Sequence, residues 1–142
     1  MKDNAKLIEL LNKALQDEYQ ASMQYLQHYN NVRSKFTDIV DHFKEHMADE
    51  QKHASILVNR IYILGGVPSI NMTKLPPFTE DIDEALIQDI KGEKHAIDLY
   101  SDIVTYCESI KDRGTQMMVE NILADEVGHI DEFAKFKKAT IK

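Results

Sequence analysis

Ala48-Asp49-Glu50-Gln51-Lys52-His53 sets a carboxylate and an imidazole three residues apart, and the same frame, Ala-Asp-Glu-x-x-His, returns 76 residues later as Ala124-Asp125-Glu126-Val127-Gly128-His129. On a helix, residues three apart are neighbours on one face, so Glu50 with His53 and Glu126 with His129 can each grip one metal ion. Upstream of each copy stands a further glutamate in a second shared frame, Glu-x-x-Ala-x-x-x-Tyr: Glu18, Ala21 and Tyr25, then Glu93, Ala96 and Tyr100. A lone Glu-x-x-His is a weak signal that usually marks two solvated side chains. Two copies, each with its own upstream glutamate, read as an internal repeat built around a metal centre.

The elements that must position these residues follow from apolar periodicity. From Lys2 to about Asn30, Leu7, Leu11, Ala14, Ala21 and Tyr25 recur at steps of three and four, with Glu18 on the same seam. A second helix, from Phe36 to about Leu64, places Phe43, Met47, Ala54, Leu57, Ile61 and Leu64 inward around Glu50. Gly65-Gly66 ends it, because glycine takes the left-handed conformation without steric cost. Val67 to Phe78 holds all three prolines and has no helical period, so it reads as a connector. Thr79 offers the N-cap of a third helix, which runs to about Ile110 with Leu86, Ile97, Tyr100, Val104 and Cys107 inward around Glu93. The fourth, from about Thr115 to Lys138, buries Val119, Ile122, Phe133 and Phe136 beside Glu126 and His129. No segment reads as a strand.

Two short turns and one long connector predict an all-α, four-helix, up-down-down-up bundle with a single crossover between helices 2 and 3, as one domain over residues 1–142. A helix of ~28 residues is about 42 Å long, and an extended connector of about fourteen residues reaches roughly 46 Å. Equal heights for Glu18 and Glu50 require the first turn near residue 34. For Glu93 and Glu126 the second must fall near 109 to 110.

Four charged, unpaired carboxylates in a bundle core would each cost several kcal/mol or more, and no lysine or arginine shares their seam. Two divalent cations would cancel the four charges, and one imidazole for each gives the mixed nitrogen and oxygen donor set suited to iron or manganese. The competing reading puts the glutamates on solvated faces, but all of them share the apolar phase. Tyr25 and Tyr100 are open to two readings, core aromatics or hydrogen-bond donors to the site.

Composition bounds the remainder. The formal charge of −7 argues against nucleic-acid or anionic-membrane partners and is compatible with handling cations. No apolar run approaches the ~20 residues needed to span a bilayer, and the first ten residues lack a signal-peptide core, so the expected compartment is the cytoplasm. Cys107, the single cysteine, is expected as a buried free thiol.

Over nearly its whole length the chain resembles the bacterioferritins of the ferritin-like superfamily. The residues that carry the resemblance are Leu11-Asn12-Lys13, Glu18, Gln24-Tyr25, His28, Asp49-Glu50, Lys52-His53-Ala54, Met117-Met118 and Gly128-His129-Ile130-Asp131. The resemblance implies two iron ions per subunit, with Glu18 and Glu93 as terminal ligands, Glu50 and Glu126 as bridges, and His53 and His129 capping one iron each. It implies a ferroxidase that oxidises Fe(II) with O2 or hydrogen peroxide and stores or detoxifies iron in a homo-oligomeric shell of 24 or 12 subunits. The alternatives are a non-storing di-iron peroxidase or oxidase, and a structural bundle with a vestigial site. Where the family has its haem-ligating methionine, after the first bridging glutamate, this chain has Gln51, so haem is not expected. The chain also stops at Lys142 without the family's short fifth helix, which bears on shell size. His42, His46 and Asp49 follow one another at steps of four and three. Bacterioferritins can bind iron on the inner surface near the residue that is Asp49 here, but the family's histidine one turn earlier is Glu45 in this chain. These three are either an extra iron site or a solvated polar face.

Overall fold

The computed structural model of the chain describes residues 4–35 and 37–140, with side chains described as far as Phe136. Four helices follow in order, α1 Ala5–Asn31, α2 Thr37–Ile63, α3 Ile82–Ser109 and α4 Arg113–Thr140. The expected first residues of the first two helices, Lys2 and Phe36, lie outside the described residues. Among the described residues there is no strand, only an isolated parallel bridge between Arg33 and Asp81.

Helices α1 and α2 form one hairpin and α3 and α4 the other. Tyr25 meets Glu93 while Tyr100 meets Glu18, so α1 and α3 run antiparallel. Both turns fall where equal heights of the glutamates require them, after Asn31 and after Ser109. Between the hairpins, residues 64–81 run along α1, held by hydrogen bonds donated from Asn4 to Leu64, from Asn12 to Val67, from the Ser69 N–H to Asn12, from Gln16 to Ser69 and from Thr73 to Asp17. The connector thus spans the bundle and closes the up-down-down-up topology.

Two helix starts differ from expectation. Asp81 rather than Thr79 caps α3, its carboxylate accepting the Glu84 backbone N–H at 2.8 Å. Thr79 acts one step earlier, its hydroxyl accepting from the Asp81 N–H. Helix α4 begins at Arg113, because Asp112 accepts from the Thr115 N–H and hydroxyl at 3.0 and 2.7 Å. A carboxylate competes well for orphan N–H groups at a helix start, and in both cases an aspartate takes them.

The core divides into two ends. One is aliphatic, built on Leu7, Leu11, Leu15, Leu57, Ile61, Ile103, Val119 and Ile122, and holds Cys107 as a buried free thiol pushed up to about 11 by burial and by Asp112. At the other, Tyr25, Phe43 and Phe133 pack with Ile39 and Leu86. The six ionisable residues of the two repeated frames lie between these ends, and no helix among the described residues is long and apolar enough to cross a membrane.

Candidate metal centre

Each helix contributes one glutamate near its middle, and the 3.6-residue period that buries the leucines also turns these carboxylates inward. Glu18, Glu50, Glu93, Glu126, His53 and His129 are all buried. Donor atoms of Glu18, Glu50, His53 and Glu126 lie within 4.8 Å of one another, and so do those of Glu50, Glu93, Glu126 and His129. Glu50 and Glu126 belong to both groups. His53 Nδ1 lies 3.1 Å from Glu126, 3.6 Å from Glu18 and 3.8 Å from Glu50. His129 Nδ1 lies 3.3 Å from both Glu50 and Glu93 and 3.9 Å from Glu126. The repeat in sequence has become a two-fold arrangement in space.

Each imidazole is held from behind. His53 Nε2 sits 2.8 Å from Asp125, and His129 Nε2 sits 2.9 Å from Asp49. An N–H given to the aspartate from one ring nitrogen leaves the other nitrogen free to face a metal, a common way of fixing the tautomer of a ligating histidine. Sequence reasoning gave Asp125 no role and grouped Asp49 with His42 and His46 instead, although the signal was present: both aspartates stand in the repeated Ala-Asp-Glu frame. They act across the pair of helices, Asp49 of the first frame on the second frame's histidine and the reverse.

Tyr25 and Tyr100 satisfy both of their readings at once. They are fully enclosed aromatics, and their hydroxyls donate to Glu93 at 2.6 Å and to Glu18 at 2.5 Å. Burial and then the carboxylates push both phenols well above their ordinary value, so they remain donors. Between α1 and α3 a cleft of about 30 Å³ descends to Glu18, Glu50, Glu93 and Glu126, with Asp17 and His95 on its lining and 3.0 Å apart. It is wide enough for a water-sized species.

Without metal the centre is short of positive charge. Burial raises Glu50 well above the ordinary carboxylate range, reinforced by Glu18 and Glu126. Glu93 rises to about 8, through burial and Glu126 working against a hydrogen bond from His129. Burial pulls both imidazoles down, but Glu126 and Glu18 overcome it and bring His53 to about 11. Glu93 and Asp49 do the same for His129, to about 9. Even so, Glu18 Oε2, Glu50 Oε1, Glu93 Oε2, Glu126 Oε1 and His53 Nδ1 are buried without a hydrogen-bond partner. Orphaned donors and acceptors in a core are costly, and here they converge, so this donor set fits divalent cations.

His42, His46 and Asp49, open in the sequence to an extra iron site or a solvated face, do not assemble as a trio. Asp49 is turned to His129, and Glu132 from α4 takes its place beside the two histidines. Nor do the three form a solvated face, since His46 is buried. Gln51 is exposed on the outer side of α2.

Four helices with a crossover between hairpins, and a Glu plus a Glu-x-x-His contributed from each side of the core, make up the ferritin-like architecture. The chain belongs to the ferritin-like domain family, whose model matches residues 8–140, and its curated relatives include bacterioferritins. It is 33% identical over 132 residues to the bacterioferritin of Brucella melitensis biotype 1, and 34% identical over 134 residues to that of Rhodobacter capsulatus, covering 92% of this chain and 82% of the relative in both cases. Among solved structures, a ferritin-like, diiron-carboxylate protein from Bacillus anthracis strain Ames superposes with a TM-score of 0.90 at 28% identity, over 96% of this chain and 99% of that one. The Rhodobacter capsulatus bacterioferritin, solved with a metal-free dinuclear site and heme iron, superposes with a TM-score of 0.85 at 31% identity, over 95% and 85%.

Proposed function

We propose that this chain is a ferroxidase that binds two Fe(II) ions between its four helices, oxidises them to Fe(III), and stores or detoxifies the product within a homo-oligomeric shell. The observation that carries this reading is the sharing of Glu50 and Glu126 between the two donor groups, each of which has its own terminal glutamate and its own histidine. In it, Glu18 and His53 complete one position and Glu93 and His129 the other. Two Fe(II) supply one electron each to O2 or hydrogen peroxide. The protein supplies ligation, position and charge balance.

The protein residues have separate tasks. Tyr100 and Tyr25 hold one oxygen each of Glu18 and Glu93, leaving the second oxygen for the ion. Asp125 and Asp49 fix the ring planes of His53 and His129. The cleft past Asp17 and His95 provides a way in lined by carboxylates. The exposed Gln51 amide offers haem iron no soft donor comparable to a thioether, so haem forms no part of this function.

Aerobic titration with Fe(II), followed by absorbance and then by sizing, tests the reading. Wild-type protein is expected to oxidise Fe(II) rapidly and to carry mineral afterwards. Glu50→Ala or Glu126→Ala removes a donor common to both positions and should slow the initial rate at least ~100-fold, since losing even an outer-shell partner costs 10–100-fold. Wild-type initial rates in either variant would remove the centre from the reaction. Turnover without mineral would leave an oxidase that stores nothing.

A further inference from the structure

The two-fold repeat fails at one end of the bundle. Positions 75 or 76 residues apart carry Ala14 and Asp89, Gln24 and Leu99, His28 and Ile103, and His46 and Ile122. One end is therefore apolar where the other is polar. Part of that polar end is closed on itself. His28 has Asp89 on Nδ1 and Gln88 on Nε2, Gln24 donates to Asp89, and Gln88 donates to the Pro77 carbonyl. Its ring nitrogens are both partnered, so the group is a structural network.

The other part is not closed. His42 and His46 lie one turn apart on α2, and Glu132 reaches them from α4. His42 Nδ1 and His46 Nε2 approach the same carboxylate oxygen, Glu132 Oε2, at 3.1 and 2.6 Å. His42 Nδ1 is buried and, although this near to Glu132, makes no hydrogen bond of good geometry, and His46 Nδ1, the ring nitrogen turned from Glu132, has no partner either. The side chain of His46 is 2% exposed, against 28% for His42 and 41% for Glu132, so the group has a closed floor and an open mouth. Glu45 Oε2 stands at that mouth, 3.4 Å from His42 Nδ1. In the other half the equivalent positions hold Met118, Ile122 and Ile56, none of which can serve here.

We propose that His42, His46 and Glu132 form a third cation site, outside the six-residue centre, which takes a first-row divalent ion such as Fe(II) or Zn(II) from solvent. Two imidazoles and one carboxylate with open positions suit such ions. Their donor atoms all lie within 4.8 Å of one another, and Glu132 Oε2 lies 3.1 and 2.6 Å from the two imidazoles, near the roughly 3 Å spacing of neighbouring donors around an ion bound at ~2.1 Å. Asp49, the carboxylate expected from the family resemblance, takes no part. The His46 ring stacks on His129 at 3.9 Å, so an ion here would sit one ring away from the main centre on its second side only.

Zn(II), which does not turn over, is the probe. Equilibrium dialysis of the full chain should find three ions per chain in the wild type and two in His42→Ala and in Glu132→Gln. The zinc-edge anomalous map of wild-type crystals should show a peak touching His42, His46 and Glu132, apart from the peaks at the main centre. The Gln variant should hold the third ion ~10–100-fold more weakly. A wild-type map without that peak, whether or not the main centre is filled, overturns the proposal. So do three tightly held ions in both variants. The main-centre peaks are read separately, so failure here is distinct from failure of the ferroxidase reading.

Discussion

At the scale of single residues the centre is a place where protons and metal ions compete. In the metal-free chain His53, His129 and Glu93 have values of about 11, about 9 and about 8, and Glu50 is raised well above its ordinary range. All four are raised relative to the unfolded chain, so the stability they contribute is full in acid and is lost as pH rises through the folded values. Glu93 loses its share between about 4.5 and about 8, and His129 between 6.5 and about 9. His46 and Glu132 are shifted down and act in the opposite sense at the acid end. The melting temperature of metal-free protein should therefore fall from pH 6 to pH 9, and that of the zinc-loaded protein should be flatter. Metal uptake near pH 7 should release at least the His53 and His129 protons, read by a pH electrode in weak buffer. A metal-free melting temperature that rises over this range, or uptake with no acid released, would contradict the proton-for-metal account. That these six residues converge was legible because each repeat carries its own glutamate and Glu-x-x-His. The contacts of Asp49 and Asp125, and which glutamate each tyrosine meets, were not, since all four act across helices and spacing along one helix does not say which residue of another faces it. The same blindness put Asp49 with His42 and His46 in place of Glu132.

At the scale of elements, the end of α2 decides where the crossover starts, and its two glycines act for different reasons. Gly65 has φ +92°, the left-handed conformation of a helix terminus. Gly66 donates to the Ile61 carbonyl, and a Cβ there would stand 2.6 Å from Ile8 Cγ2 and 3.0 Å from Ile61 Cγ2. Those methyls sit on stiff β-branched side chains that cannot rotate out of the way cheaply. Gly66→Ala should therefore cost ~1–3 kcal/mol of overpacking, visible as a lower denaturant midpoint. Gly128, inside α4, has nothing within 4 Å of a Cβ, so Gly128→Ala should instead gain about 0.5–1 kcal/mol from helix propensity. Equal effects at the two positions would show that close packing of α1 against the end of α2 is not what requires glycine there. The Gly-Gly stop, both turns and the crossover were legible from composition and from the heights of the glutamates. The starts of α3 and α4 were misplaced by two residues or so: Asp81 outcompeted Thr79 as the cap of α3, and Asp112, which had no capping reading, starts α4 two residues before Thr115; capping competition is decided by local geometry that sequence only ranks.

At the scale of the whole molecule, one bundle can oxidise iron but cannot hold an insoluble mineral, so the proposed storage requires copies of the chain closed by point-group symmetry. The surface offers material for such contacts. Tyr62 and Ile63 at the last turn of α2, and Val67, Ile70 and Phe78 on the crossover, are all more than half exposed, with Ile70 at 93%. Single exposed apolar side chains are ordinary, but several along one connector and its adjoining helix end suit an interface. The connector is pinned along α1 by Asn12, Gln16 and Asp17, so it presents these side chains on a fixed backbone. We expect light scattering at micromolar concentration to find a closed assembly of 24 or 12 subunits. Val67→Asp with Ile70→Asp should shift it to smaller species while the circular dichroism of the helices is retained, because neither residue belongs to the core of the bundle. A wild-type monomer or dimer under these conditions would take storage out of the proposed function and leave Fe(II) oxidation alone. A doubly charged variant that still assembles fully would move the interface to another face of the chain.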